Sequence, residues 1–501
     1  MKKPVMSIPL HSKPTETFNR IPFILLLFIF FPWSATLTAQ TVSFDLQPVG
    51  KGTVTSDSPL YIGCNNQRVF LIERTGRITK RFSLVSYGFD QQELTRVELG
   101  TDKETGSYGG YINGQHIDLL QAAYPSDHEM RIYRDRRNLA TLQSEGEALV
   151  LGEYSGEKGD EFGFGIATSP NQKLLAGIFV ARRKLQGTEV KVGLYSRELE
   201  EYWTMPTNRT SFNNVAVTDE GDVLLYTLSL NGKCSFNILD GEHSENVEFT
   251  LPANGHAIER ELVRYGDGKI ILAATVRKKD ETYMPEGSNI DRVDVYCYDI
   301  AKKHISVEYH PFTDQEVHHL NNTKEGSTLR NHWVQFGQLA QTLADKDGGY
   351  IMIDQAWSVS VNGNKTEWHR SGMMVLRVDA NGKILWTRTH RFNASTTWDN
   401  RQNLAHRWAA TPTGVMLAWI DHEQNITCPS EKPYKLFKPS RTKGTLNVWT
   451  LTPSGKETLS YTPVAHMTLT GAAHHLDTPG KYIALLSSLR KGQLALITIE
   501  N

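Results

Sequence analysis

An all-β fold assembled from a repeated four-stranded unit is what this chain of 501 residues predicts, and three observations carry the prediction. A small turn cluster followed at once by a short apolar, β-branched strand recurs eight times: CNNQRVFLI from Cys64, INGQHIDLL from Ile112, SPNQKLLAGIF from Ser169, TDEGDVLLY from Thr218, YGDGKIILAA from Tyr265, DKDGGYIMI from Asp345, TPTGVMLAW from Thr411 and DTPGKYIALL from Asp477. Successive turns lie about 50 residues apart at first and roughly 65 to 80 apart later, which suits a unit of ~40 to 50 residues carrying insertions. A second turn class follows within several units: SRELEEYWTMP from Ser196, DIAKKHISVEY from Asp299, DANGKILWTRTH from Asp379 and TPSGKETLSY from Thr452. Beyond Thr41, period-2 alternation bounded by Gly, Pro, Asn and Asp dominates, and no amphipathic helix stands out. Two tight hairpins per unit make a four-stranded blade, so the expectation is a single β-propeller of seven or eight blades, the count favouring eight.

Taken in order, the units run 58–90, 93–154, 160–206, 212–253, 258–315, 336–393, 403–465 and 468–499. The last supplies only three strands, while TVSFDLQ from Thr41 is a spare one. Pairing the two would close the ring and remove the open sheet edges that invite aggregation. The competing reading is two β-sandwiches in series.

Ahead of Thr41, the basic start Met1-Lys2-Lys3, Arg20 and the apolar run from Ile21 to Trp33 read as a secretory signal. The run is shorter than the ~20 residues a bilayer requires. The expected division is therefore a signal peptide at 1–39 and a propeller domain at 40–501, the chain being secreted or held in the periplasm or at the cell surface. A formal charge of -1 gives no electrostatic footprint for nucleic acid or an anionic membrane. Cys64, Cys234, Cys297 and Cys428 fall in different units with no metal-ligand spacing, which favours buried thiols with at most one bridge. Glycosylation sequons stand at Asn208, Asn321, Asn364, Asn393 and Asn425.

The units resemble the degenerate blades of secreted β-propeller proteins. VLRVDANGKILWTRTH from Val375, with Asp379, Gly382 and Trp386, is similar to the turn of quinoprotein-type repeats. The other copies lose the Asp, the Gly or the Trp, so the resemblance implies a fold and no quinone.

Strand order in such a blade puts the connections between second and third strands, and from the fourth to the next blade, on one face. Five long segments fall there: 277–292, 316–335, 355–371, 392–404 and 420–444. Loops of that length usually carry function. Eight of the ten tryptophans lie between Trp333 and Trp449, and four of these, Trp333, Trp357, Trp368 and Trp398, fall in the long segments. Trp333, Trp357, Trp368, His369, Arg370, Trp398, Asp399 and Arg401 form the expected ligand-binding set, because flat rings beside guanidinium and carboxylate groups suit a sugar or an aromatic ligand. Trp203, Trp386 and Trp449 are expected to wedge blades together, and Trp408 and Trp419 to fill the core. Of the carboxylates, Glu367, Asp399, Asp421 and Glu423 are candidates for acid/base work, and the basic run KPYKLFKPSRTK from Lys432 for an acidic glycan.

No GxSxG elbow, phosphate loop or HExxH motif occurs, and the adjacent pairs His318/His319 and His474/His475 are poor chelators on an extended chain. No metal or cofactor is expected. The reading is a monomeric, non-catalytic propeller that binds a glycan or protein partner through its loop-rich face. The alternatives are a glycan-cleaving hydrolase or lyase using that face, and an envelope scaffold.

Overall fold

The computed structural model describes residues 41–500 apart from short segments, the longer ones being 50–59, 279–288, 324–333 and 398–405; residues 1–40 lie outside. The described chain forms eight successive antiparallel meanders of four strands, spanning 60–101, 105–155, 161–207, 214–250, 256–311, 334–397, 407–464 and 468–500. In the eighth, the spare N-terminal strand Thr41–Val49 pairs with Gly492–Glu500, Thr41 opposite Glu500. A two-residue strand, Asn289–Ile290, leaves the fifth meander and pairs with Val334 and Gln335 of the sixth.

All eight expected turn clusters join the first and second strands of a sheet. Their chemistry is local. Thr218 Oγ1 accepts from the Asp222 amide and Ser169 Oγ from that of Leu174, and in a turn of the second class Asp379 Oδ1 accepts from those of Asn381 and Lys383. Gly382 (φ +83) and Gly455 (φ +80) take the left-handed backbone that closes the second turn of the sixth and seventh sheets.

The core lies between sheets. Ile72 and Leu84 of the first meet Ile117 and Leu119 of the second; Ile132 and Met130 meet Phe164 and Phe179; Val192 and Ala176 meet Leu225 and Val223. The pattern continues through Phe236 with Leu272, and Val295 with Ile351 and Met374, into the largest cluster, which spans the sixth to eighth sheets around Trp419, Trp449 and Tyr482. At about 25 cal/mol per Å² of apolar surface removed from water, these inter-sheet layers supply most of the drive to stack. Trp203 and Trp386 sit at such joints: Trp203 meets Gly241 of the next sheet, and Trp386 Nε1 donates to the Pro453 carbonyl.

Two expectations about elements are corrected. Glu93–Thr101 is the fourth strand of the first sheet, paired with Arg81–Gly88, rather than the start of the second unit. Its alternation is mostly polar because it is an outer edge strand. Asp314–Leu320 is a helix, where none was expected beyond Thr41. Thr313 caps it, with Glu316 reaching back in a capping box, a Thr-x-x-Glu signature visible in the sequence.

Candidate functional site

Sheet order places the connections between second and third strands, and from fourth strands onward, at one end of each meander. The sixth and seventh sheets are elaborated there. Of residues 355–371, expected as a loop, 355–361 and 365–371 are strand: Gly348–Val361 and Lys365–Asp379 pair antiparallel past the sheet and are joined by Ile384–Thr397. Alternating Trp357, Val359 and Val361 ahead of Asn-Gly-Asn is a hairpin signal that the loop reading overlooked. The backbone sets Trp357 opposite His369, Ser358 opposite Trp368 and Ala356 opposite Arg370.

Three groups brace this extension. The helix Asp314–Leu320 lies against it: Ser371 Oγ donates to the Leu320 carbonyl at 2.6 Å and His319 Nδ1 is hydrogen-bonded to Thr389 Oγ1 at 2.8 Å. Glu316 accepts from Thr387 Oγ1 at 2.9 Å and sits 3.0 Å from His310 Nε2; burial pushes its carboxyl up, but His310 and the Thr313 amide outweigh that and hold it below the usual range. The second brace comes from the seventh-sheet insertion, at residues 432–438. Phe437 donates to the Asn393 carbonyl and accepts from the Ser395 amide, running parallel along the edge of the sixth sheet and covering it. The third is a knot of side-chain amides. Asn322 bonds both the amide and the carbonyl of Tyr434 at 2.6 and 3.1 Å, and Asn393 Nδ2 adds a bond to that carbonyl. Arg391 lies over the Tyr434 ring, 4.7 Å from its centre, and donates to the Lys432 carbonyl.

Beneath the braces lies a buried polar layer. Asp421, 3 % exposed, accepts at Oδ1 from the His422 amide at 2.7 Å and from Asn425 Nδ2 at 2.9 Å, and Asn425 also brackets the Lys435 backbone. Burial pushes its carboxyl up to about 7 against the pull of those donors. His390 stands 4.9 Å from the Trp419 ring and 5.5 Å from Trp449; burial, followed by the neighbouring His319, Arg391 and His406, pushes its pKa down to about 3, so it is neutral. Arg407 is lowered to about 10 by burial and by Arg370 of the adjoining sheet.

Of the expected ligand-binding set, Trp368 is 7 % exposed and belongs to the apolar cluster of Phe392, Ala394 and Phe437. Its rings pack the extension together. Arg370 is 5 % exposed on the same strand. Half-buried His369 points its Nε2 to Glu367 at 3.5 Å; burial outweighs that carboxylate and lowers its pKa. Glu367 in turn pairs with Lys438 at 3.5 Å. Trp357 is placed by its backbone, while Trp333, Trp398, Asp399 and Arg401 lie outside the described residues. Trp408 and Trp419 pack in or against the core as expected, and Trp449 Nε1 donates to Glu457.

Several participants were not anticipated. Asn393 and Asn425 were read as sequons, yet both side-chain amides donate to main-chain carbonyls, and Asn425 is buried. His318 and His319 are helical, bonded to Thr323 and Thr389. Among the described residues no three His, Cys, Asp or Glu side chains gather in a metal-holding group, and no helix is long and apolar enough to cross a membrane.

No family model matches the chain. No curated protein matches it either. Among solved structures it is similar to the WD40 domain of SCAP from fission yeast (9 % identity, 91 % of this chain and 98 % of that one, TM-score 0.42). It is also similar to the β-propeller domain of the Trilobed protease from Pyrococcus furiosus (11 %, 78 % and 95 %, 0.31) and to the Dos1 propeller (9 %, 90 % and 95 %, 0.30). At TM-scores below 0.5 these likenesses carry no weight of their own; the sheet order and registers do.

Proposed function

We propose that this is an exported, monomeric β-propeller that binds a glycan or protein partner, without catalysis, through the elaborated end of its sixth and seventh sheets. On this reading residues 1–39 are a leader and 40–501 a ring of eight blades, closed where Thr41–Val49 joins the last sheet. The observation that carries the proposal is the braced extension: strands lengthened beyond the blade, with their free edge covered by Phe437 and their face covered by a helix. Lengthening brings Trp368 and Phe392 into the packed core, and on this reading its further purpose is a platform for the tryptophan-bearing connections. Trp333, Trp357, His369, Trp398, Asp399 and Arg401 are the side chains assigned to the ligand; Trp368 and Arg370 hold the platform from within.

The test is a glycan array probed with the wild-type chain and with Trp357→Ala/Trp398→Ala/Arg401→Ala. Loss of the array signal at an unchanged melting temperature is expected. A variant that keeps the wild-type profile would remove the proposal.

A glycan-cleaving reading draws on one observation, the carboxyl of Asp421 held near 7, where a general acid is useful. Its burial under Asn425 gives it a structural task instead. Release of new reducing ends from bound glycans, abolished by Asp421→Asn, would favour cleavage over binding.

A further inference from the structure

Lysine recurs at every third residue of the seventh-sheet insertion, at Lys432, Lys435 and Lys438, and residues 432–443 carry five cations and no acid. Between 433 and 436 the chain is neither helix nor strand, and Pro433 fixes one backbone angle. A three-residue recurrence gathers side chains on one side of a three-fold extended backbone. Lys432 and Lys435 are exposed and Lys438 half-buried, while Tyr434 is half-buried and Phe437 is 1 % exposed.

The main chain is held from behind at four of these positions. Arg391 holds Lys432, Asn322 and Asn393 hold Tyr434, Asn425 holds Lys435, and the sixth-sheet edge holds Phe437. Backbone polar groups therefore face the protein, and the Lys432 and Lys435 side chains are left exposed. Lys435 touches the Gln424 side-chain oxygen and Lys438 leans toward Glu367.

We propose that this insertion is a cation rail for an extended acidic polysaccharide, one that bears a carboxylate or sulfate about once per disaccharide. At about 3.1–3.3 Å per residue, successive lysines stand roughly 9–10 Å apart. That interval suits one charge per disaccharide far better than the phosphates of a nucleic-acid duplex, ~3.4 Å apart along each strand. A backbone ordered before the ligand arrives removes part of the entropy cost of association. The inference rests on the elaborated end being the binding face, and adds the class of ligand.

Hyaluronan oligosaccharides, chito-oligosaccharides of equal length and single-stranded DNA, each titrated against the wild-type chain and against Lys432→Gln/Lys435→Gln, test it. Hyaluronan should bind the wild type, weaken with added salt, and bind the double variant about tenfold less well, two exposed charge contacts together supplying that difference. The melting temperature should not move, because both side chains are exposed. The rail is overturned if the wild type ignores hyaluronan, prefers the neutral oligomer or DNA, or loses nothing in the double variant. None of these results removes the binding platform, which the Trp357/Trp398/Arg401 variant tests separately.

Discussion

The fourth sheet completes its meander within residues 214–250, with strands of 4, 6, 7 and 7 residues, while the sixth occupies 334–397 with strands of 12, 14, 15 and 14. Both bury the same kind of layer against their neighbours, Phe236 and Tyr226 in one, Met374 and Ile351 in the other. The extra length of the sixth is where they part. A short sheet meets most of its own polar needs: Asn237, buried in the fourth, bonds Ser244, Asn246 and the Glu245 carbonyl within its own hairpin and takes a single bond from outside, from Thr207 of the third sheet. Strands that outrun their sheet have an open edge and an uncovered face, and the sixth borrows cover from both sides, a helix before it and an insertion after it. Elaboration of one blade thus obliges its neighbours to change, which explains why the departures from the basic unit cluster in three consecutive sheets.

The comparison breaks first at Trp368. Removing this side chain empties the middle of the extension, and Trp368→Ala should cost about 3–5 kcal/mol in denaturant unfolding. Tyr202→Ala, on the outer strand of the third sheet where the ring is 60 % exposed, should stay within about 0.5 kcal/mol. Equal losses would mean that the extension is no better packed than an ordinary blade rim.

Next in size is a pH effect. With its folded pKa near 7 against ~3.9 unfolded, Asp421 keeps a proton that the unfolded chain gives up, so its contribution falls as pH rises from about 4 to 7, by about 3–4 kcal/mol. His390 acts oppositely: its folded pKa near 3 lies below the ordinary ~6.5, so stability is lost as pH falls below that value. The two slopes oppose each other between about pH 4 and 6.5. Asp421→Asn should uncover the His390 slope, giving urea midpoints that climb with pH across that window where the wild type is flatter. Parallel profiles for the two proteins would show that Asp421 does not hold its proton in the folded state.

Much of this architecture was legible in the sequence because turns are local. Thr218 and Ser169 cap first hairpins and Asp379 a second one, each within a few residues, so these turns could be placed without knowing what they pack against. The candidate site was less legible because its logic is long-range. Asn322 meets Tyr434 across 112 residues, and Asn393 meets it across 41. No spacing rule announces such pairs, so Asn393 and Asn425 looked like sequons and Tyr434 like part of a solvated basic run. Trp368 was read in a loop for the same reason, whereas the chain there is strand and its ring packs into a core.

The smallest of these effects isolates the helix as a brace. An ideal Cβ on Gly372 of the sixth sheet would lie 2.6 Å from Leu320 Cα and 2.7 Å from the His319 carbonyl oxygen, so helix and strand touch backbone to backbone. On Gly163 of the third sheet, the nearest atom to such a Cβ is Val180 Cβ at 3.9 Å, ordinary contact. Gly372→Ala must therefore lift the helix and loosen the Ser371 bond to Leu320 and the His319 bond to Thr389, at about 1–3 kcal/mol. Gly163→Ala fits its space and reduces the freedom of the unfolded chain, so it should be neutral or slightly stabilising. Amide hydrogen exchange gives the sharper reading. In Gly372→Ala, protection should fall at Val317 and Asn321, whose amides close the helix, while the fourth sheet is unchanged. If protection fell evenly across both sheets, the helix would be no separate brace, and the two blades would differ in length alone.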